Sequence, residues 1–181
     1  IITDNTLRVF DHLPILIAAG IIFGFAIVDD ILNLPAVVKL IIQLVAVSIV
    51  AFNGYHFTQI FGWQLPKIFS IVLTFGWILG VTNAYNLIDG LDGLAAGVST
   101  IAAITIFLVA LQQNIMLVAV LTAALAGAAF GFLYYNFNPA RIFMGDSGSM
   151  FLGYMLAGIS VIGAVKCAAT IALIVPILAL G

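Results

Sequence analysis

Five aspartates in three short polar breaks are the residues of this chain that could do chemistry. Asp29 and Asp30 end the apolar run IAAGIIFGFAIVDD. Asp89 and Asp92 stand with Asn86 in NLIDGLDGLAAG, and Asp146 stands in NPARIFMGDSGS. They sit in a chain of 181 residues that is 65% hydrophobic and only 7% charged, so charge in these breaks needs a reason. Carboxylates a few ångströms apart repel by roughly 4 kcal/mol per pair at an effective dielectric of 20. A divalent cation or protonation relieves that repulsion. Hard carboxylate oxygens suit Mg²⁺ or Mn²⁺, and a carboxylate-bound metal is suited to handling phosphates.

The elements that must position these groups follow from the hydropathy pattern. With a mean hydropathy of +1.32, apolar runs separated by short polar breaks describe a polytopic membrane protein. Each run must be a helix, because backbone groups in hydrocarbon need internal partners, so the fold class is an all-α membrane helical bundle. Seven spans are read, at roughly 13 to 28, 34 to 52, 68 to 85, 94 to 111, 115 to 135, 150 to 165, and 167 onward. The expectation is one transmembrane domain over residues 1–181, cut at both ends. The net charge of -2 argues against a nucleic-acid footprint. Cys167 is alone and reads as a small buried residue. The pairs Gly20 with Gly24 and Gly127 with Gly131 are expected at close helix contacts.

If every span crosses, successive breaks alternate sides. One face then collects Asp29, Asp30, Asp89, Asp92, Arg141 and Asp146, which is five of the seven carboxylates, all of them Asp. The other collects His12, His56, Lys67 and Lys166, which argues against zinc among the carboxylates. Lys and Arg fall on both faces, so charge bias leaves the orientation open.

Each feature has a plainer reading. Asp29 and Asp30 would form a solvated turn, although the macrodipole disfavours negative charge at a helix C-terminus. Asn33 before Leu34 and Pro35 reads as the N-cap of the next helix. Lys39, one turn into that helix, either snorkels or pairs with a carboxylate, and its place near the Asp-rich face also suits a phosphate-binding role. Asp92 and Asp146 could each be a helix cap, with Ser147 or Ser149 as rival caps for the latter. At 100° per residue, Asn86, Asp89 and Asp92 can share an arc that Asn83 leaves. Phe143 is either an interfacial anchor or a stacking surface. Two function classes remain: an enzyme acting on phosphates beside a lipid, and a cation or proton-coupled transporter. Carboxylates at span ends rather than mid-span favour the enzyme.

In order, DD after an apolar helix, NAYNLIDGLDGLAAG and FNPARIFMGDSGS resemble the polyprenyl-phosphate N-acetylhexosamine-1-phosphate transferases. Ile88, and Pro139 soon after Asn136, look more like the UDP-GlcNAc:undecaprenyl-phosphate GlcNAc-1-phosphate transferases than the phospho-MurNAc-pentapeptide enzyme, which stays the alternative. The resemblance implies Mg²⁺-dependent transfer of a sugar-1-phosphate from a UDP-sugar to undecaprenyl or another polyprenyl phosphate. UMP would be released at the cytoplasmic face of the cell membrane, as a first step toward envelope polymers such as lipopolysaccharide or teichoic acid linkages. It implies Asp146 as metal ligand, aided by Asp89 and Asp92. Asp29 and Asp30 would orient the lipid phosphate, and Lys39, Asn86, Asn136 and Phe143 would contact substrate, with Phe143 stacking on uracil. A homodimer is the expected assembly. Asn33 stands where many relatives carry a third acid, and the family's His-rich loop would follow Gly181.

Overall fold

The computed structural model describes residues 12–60 and 63–162. It contains six helices: α1 (Leu13–Leu32), α2 (Ala36–Phe52), α3 (Lys67–Ile88), α4 (Leu94–Gln112), α5 (Met116–Asn136) and α6 (Gly145–Val161). Between α2 and α3 lies an antiparallel hairpin, β1 (Gln59–Ile60) with β2 (Trp63–Gln64), too short to leave a period in the sequence. Helices α1, α3, α4 and α5 are long and apolar enough to cross a membrane, and α2 is a shorter apolar helix. The chain is an all-α, multi-pass membrane bundle. The seventh expected span, from 167 onward, lies outside the described residues, as do Lys166 and Cys167.

The first break shows how local chemistry sets the path. Leu34 precedes Pro35, and a residue before proline is pushed out of the helical region. Helix α1 therefore ends first, with Asn33 left-handed at φ 50° and its N–H donating to the Asp29 carbonyl at 2.8 Å. The expectation that Asn33 caps the following helix is thus corrected: it closes α1, because asparagine tolerates the left-handed region. The extended Pro35 is the N-cap of α2.

Helix α6 forms the centre. From Ser149 to Val161 every residue but Phe151 is buried, against α1 and α3 above all. A Cβ on Gly153 would lie 2.8 Å from Tyr85 Cβ and 2.9 Å from Thr82 Cα, so only glycine permits the α3–α6 approach. Trp77 Nε1 donates to Ser160 Oγ at 2.8 Å, and Tyr154 Oη donates to the Ile15 carbonyl at 3.3 Å. Helix α4 packs on α5, and both bury small side chains, among them Ala95, Ser99, Ala102 and Ala103 on α4 and Ala119, Thr122 and Ala126 on α5. Gly20, Gly24, Gly127 and Gly131 make no such contacts. A Cβ at any of them would meet nothing within 4 Å, which corrects the packing role expected of them. Close approach falls instead to buried alanines and serines and to Gly153, whereas these four glycines are exposed.

The alternation of breaks holds through α6. The α1–α2, α3–α4 and α5–α6 connections meet at one end of the bundle, tied by side-chain bonds described below. The other end carries the hairpin, the His12–Tyr55 contact at 3.0 Å and the His56–Ser70 contact at 2.6 Å.

Candidate active site

Lys39 is the hub of the carboxylate end. It lies in the first turn of α2, and its Nζ sits 2.5 Å from Asp29 Oδ2 and 2.6 Å from Asp146 Oδ2. Asp29 is 2% exposed, and its Oδ1 accepts from the Leu34 N–H at 2.9 Å. A lysine and a backbone donor therefore offset the macrodipole that opposes an aspartate at this helix end. Lys39 is paired rather than snorkelling to solvent.

Asp30 has a different partner. Its Oδ1 accepts from the Asp146 N–H at 2.9 Å and its Oδ2 from the Ser147 N–H at 3.1 Å. The carboxylate ending α1 thus satisfies the first free N–H groups of α6, where helices favour negative charge. Gly145 makes this fit possible, with φ +70° and a would-be Cβ only 3.2 Å from Asp30 Oδ2. Helix α6 therefore starts at Gly145, five residues before the apolar run that marked it in sequence. Neither Ser147 nor Ser149 caps it, and Asp146 is not a cap: its carboxylate points to Lys39 and to Asn86, whose Nδ2 donates to Asp146 Oδ1 at 2.8 Å. Asn86 also donates to the buried Ser149 Oγ at 3.2 Å.

Asp89, the C-cap of α3, is half-buried and its carboxylate has no hydrogen-bond partner among the described residues. Burial first, then the charges of Asp146 and Asp30, push its pKa up to about 6. Four carboxylates thus interact around one ammonium. Asp92 does not join them. The chain turns at Gly93, φ +75°, and Asp92 Oδ2 accepts from Asn138 Nδ2 at 3.1 Å and the Ala140 N–H at 3.0 Å. The shared arc ends at Asp89 because α3 stops at Ile88, and Gly93 rather than Asp92 is the N-cap of α4.

Asn136 is buried, its Oδ1 accepting from the Gly93 N–H and its Nδ2 donating to the Ile142 carbonyl, both at 3.0 Å. Its amide ties the start of α4 to the α5–α6 loop at the position where a substrate contact is expected from sequence. Phe143 is 74% exposed beside this end, open to a planar ligand. Sequence reading passed over Gln43, which is buried and exchanges two hydrogen bonds with Asn83, at 2.7 and 3.3 Å. The signal was present: Gln43 lies four residues after Lys39 on an apolar helix, hence on the same face.

Among the described residues no group of three or more carboxylates or histidines forms a metal cage. Magnesium rarely needs one, since it commonly takes one or two carboxylates with water and phosphate oxygens completing its shell. Asp146 with the unpartnered Asp89 fits that mode.

A family model described as glycosyl transferase family 4 matches residues 12–164. The chain is 44% identical over 177 residues to a Bacillus subtilis protein named probable undecaprenyl-phosphate N-acetylglucosaminyl 1-phosphate transferase, covering 92% of this chain and 48% of the relative. It is 38% identical over 161 residues to a Mycobacterium tuberculosis decaprenyl-phosphate N-acetylglucosaminephosphotransferase, covering 81% of this chain and 40% of that one. A phospho-N-acetylmuramoyl-pentapeptide-transferase of Streptococcus pyogenes is 40% identical over 173 residues, covering 88% and 51%. The chain spans about half the length, or less, of these relatives. With most of its residues matched by the family model, the chain belongs to glycosyl transferase family 4.

Proposed function

We propose that this chain carries the phosphate-handling centre of an enzyme that transfers a sugar-1-phosphate from a UDP-sugar to a membrane polyprenyl phosphate, with UDP-GlcNAc as donor. The observation that carries the reading is Lys39 held between Asp29 and Asp146, with Asp89 left unpaired beside them. All these groups lie at helix ends on one end of the bundle, whereas an ion-coupled transporter needs them at mid-span.

Both reactants bring negative phosphates, so the site must neutralise charge and align the groups. Lys39 is placed to meet the lipid phosphate. A groove of about 460 Å³ begins two residues further along α2, lined by Ile41, Leu44, Val45, Ser48, Ile49 and Phe52, and suits a prenyl chain. Asp146 and Asp89 would hold Mg²⁺, which when bound offsets the charge of the donor diphosphate. Asn86 fixes the Asp146 carboxylate, Asp30 fixes the helix that carries it, and Phe143 offers its exposed ring to uracil.

A phosphate monoester has a second pKa of about 6 and is mostly dianionic at neutral pH. An oxygen of the lipid phosphate can therefore attack the β-phosphorus of the donor directly. The new O–P bond forms as the bond from that phosphorus to the bridging oxygen breaks, and UMP leaves with the electron pair. No covalent aspartyl intermediate is required. The site would face the cytoplasm, where UDP-sugars are made.

The test is UMP release by the full-length protein with undecaprenyl phosphate, comparing UDP-GlcNAc with UDP-MurNAc-pentapeptide, with and without a chelator. Chelator-sensitive release with UDP-GlcNAc is expected. Faster release with the pentapeptide donor would reassign the sugar, and carboxylate-dependent ion flux without any UMP release would replace the enzyme by a transporter.

A further inference from the structure

A second cavity, of about 280 Å³, opens at the same end of the bundle but on another flank, lined by Tyr134, Tyr135, Phe137, Asn138, Pro139 and Arg141. None of its residues belongs to the carboxylate cluster, which is built from α1, α2, α3 and α6. Its frame is fixed by hydrogen bonds. The Arg141 N–H donates to the Tyr135 carbonyl at 2.9 Å, and Asp92 holds Asn138 and Ala140. Tyr134 and Tyr135 pack edge to face with centroids 5.1 Å apart. The Arg141 side chain is exposed and has no ion pair among the described residues, whereas Lys39, the other described cation at this end, is engaged twice.

Helix α5 is long enough to cross the membrane, so its last turn and this cavity lie at the membrane interface. Exposed Tyr134 and Phe137 there match the amphipathic belt that such a position favours. A guanidinium fork prefers phosphate, and the tyrosine hydroxyls and the Asn138 amide are further polar groups at the rim.

We propose that this cavity binds the phosphate of an anionic membrane phospholipid, entering sideways from the bilayer. Charge complementarity selects the head group, because the exposed Arg141 makes no ion pair among the described residues and the nearby Asp92 carboxylate is engaged by Asn138 and Ala140. The position on the outer flank of α5 selects a lipid over a water-borne nucleotide. This site depends on the membrane reading of the chain and not on the transferase reading.

The experiment uses the full-length protein in nanodiscs of phosphatidylcholine with or without phosphatidylglycerol, extracted into detergent, with retained lipid counted by native mass spectrometry. Retention of phosphatidylglycerol is expected to fall about tenfold in Arg141→Gln, the loss of one charge-assisted contact. A smaller fall is expected in Tyr134→Ala, with melting temperatures unchanged in both. Inorganic phosphate added to the extract is expected to displace the lipid poorly. Equal retention by wild type and both variants would overturn the proposal. Displacement by inorganic phosphate at parity with phosphatidylglycerol would overturn it too, since the site would then be one for a free anion.

Discussion

Replacing Lys39 by methionine keeps its apolar stem and removes the charge between two carboxylates. Asp29 Oδ2 and Asp146 Oδ2 both touch the same nitrogen, at 2.5 and 2.6 Å, so they lie no more than about 5 Å apart. At an effective dielectric of 20, two charges at that distance repel by about 3 kcal/mol. Asp29 is 2% exposed and has little water to screen it, and a broken buried pair typically costs roughly 3–5 kcal/mol. Lys39 keeps 26% exposure, which holds the expected loss near the lower figure, about 3 kcal/mol. The assay is unfolding of the full-length protein in detergent at neutral pH. Asp29→Asn added to Lys39→Met should restore most of the stability, because it removes the stranded charge, and should leave turnover abolished, because the ammonium is still missing. A double variant no more stable than Lys39→Met alone would refute the electrostatic reasoning.

Gln43→Leu and Asn83→Leu should each destabilise the protein, and a double-mutant cycle should return a coupling of about 1 kcal/mol for the amide pair joining α2 to α3. Gly153→Ala should cost roughly 1–3 kcal/mol by overpacking against Thr82 and Tyr85, whereas Gly20→Ala, with open space around it, should be neutral or slightly stabilising in thermal melts. Asp89 takes up a proton as pH falls through about 6, and a metal must displace that proton. Binding of Mn²⁺ to the full-length protein, followed by electron paramagnetic resonance, should therefore weaken as pH drops through that value, and Asp89→Asn should flatten the dependence.

The helical spans and their alternation are written in hydropathy, which is why the carboxylate end could be assembled from sequence before any coordinate. The residue-level joins were less legible because they are made across the chain. Helix α6 begins at Gly145 because Asp30, 116 residues before Asp146, supplies the acceptor for its first N–H groups, and no local cap marks that start. Asn83 and Asp92 have separate partners because α3 stops at Ile88, not through the angle of one continuous helix, and the pattern could not say that Gln43 receives Asn83. Pro35 took the N-cap place expected of Asn33, which closes α1 instead, because the restriction on Leu34 before proline ends that helix first. Asn136 is expected from its motif to contact ligand, and the tie its amide makes to Gly93 and Ile142 was not legible, because those bonds are set by how the loops pack. The outward-facing glycines misled because composition reports small residues without reporting which face they occupy.

Asp146→Asn in the full-length protein tests the central claim most directly. The change is isosteric, Asp29 remains to hold Lys39, and Asp30 still caps α6, so the melting temperature should stay near wild type. UMP release from UDP-GlcNAc with undecaprenyl phosphate should fall by about a thousandfold or more, as expected when a group that binds the reacting charge is lost. Turnover within a few-fold of wild type would contradict the assignment and make Asp146 a structural partner of Lys39 alone.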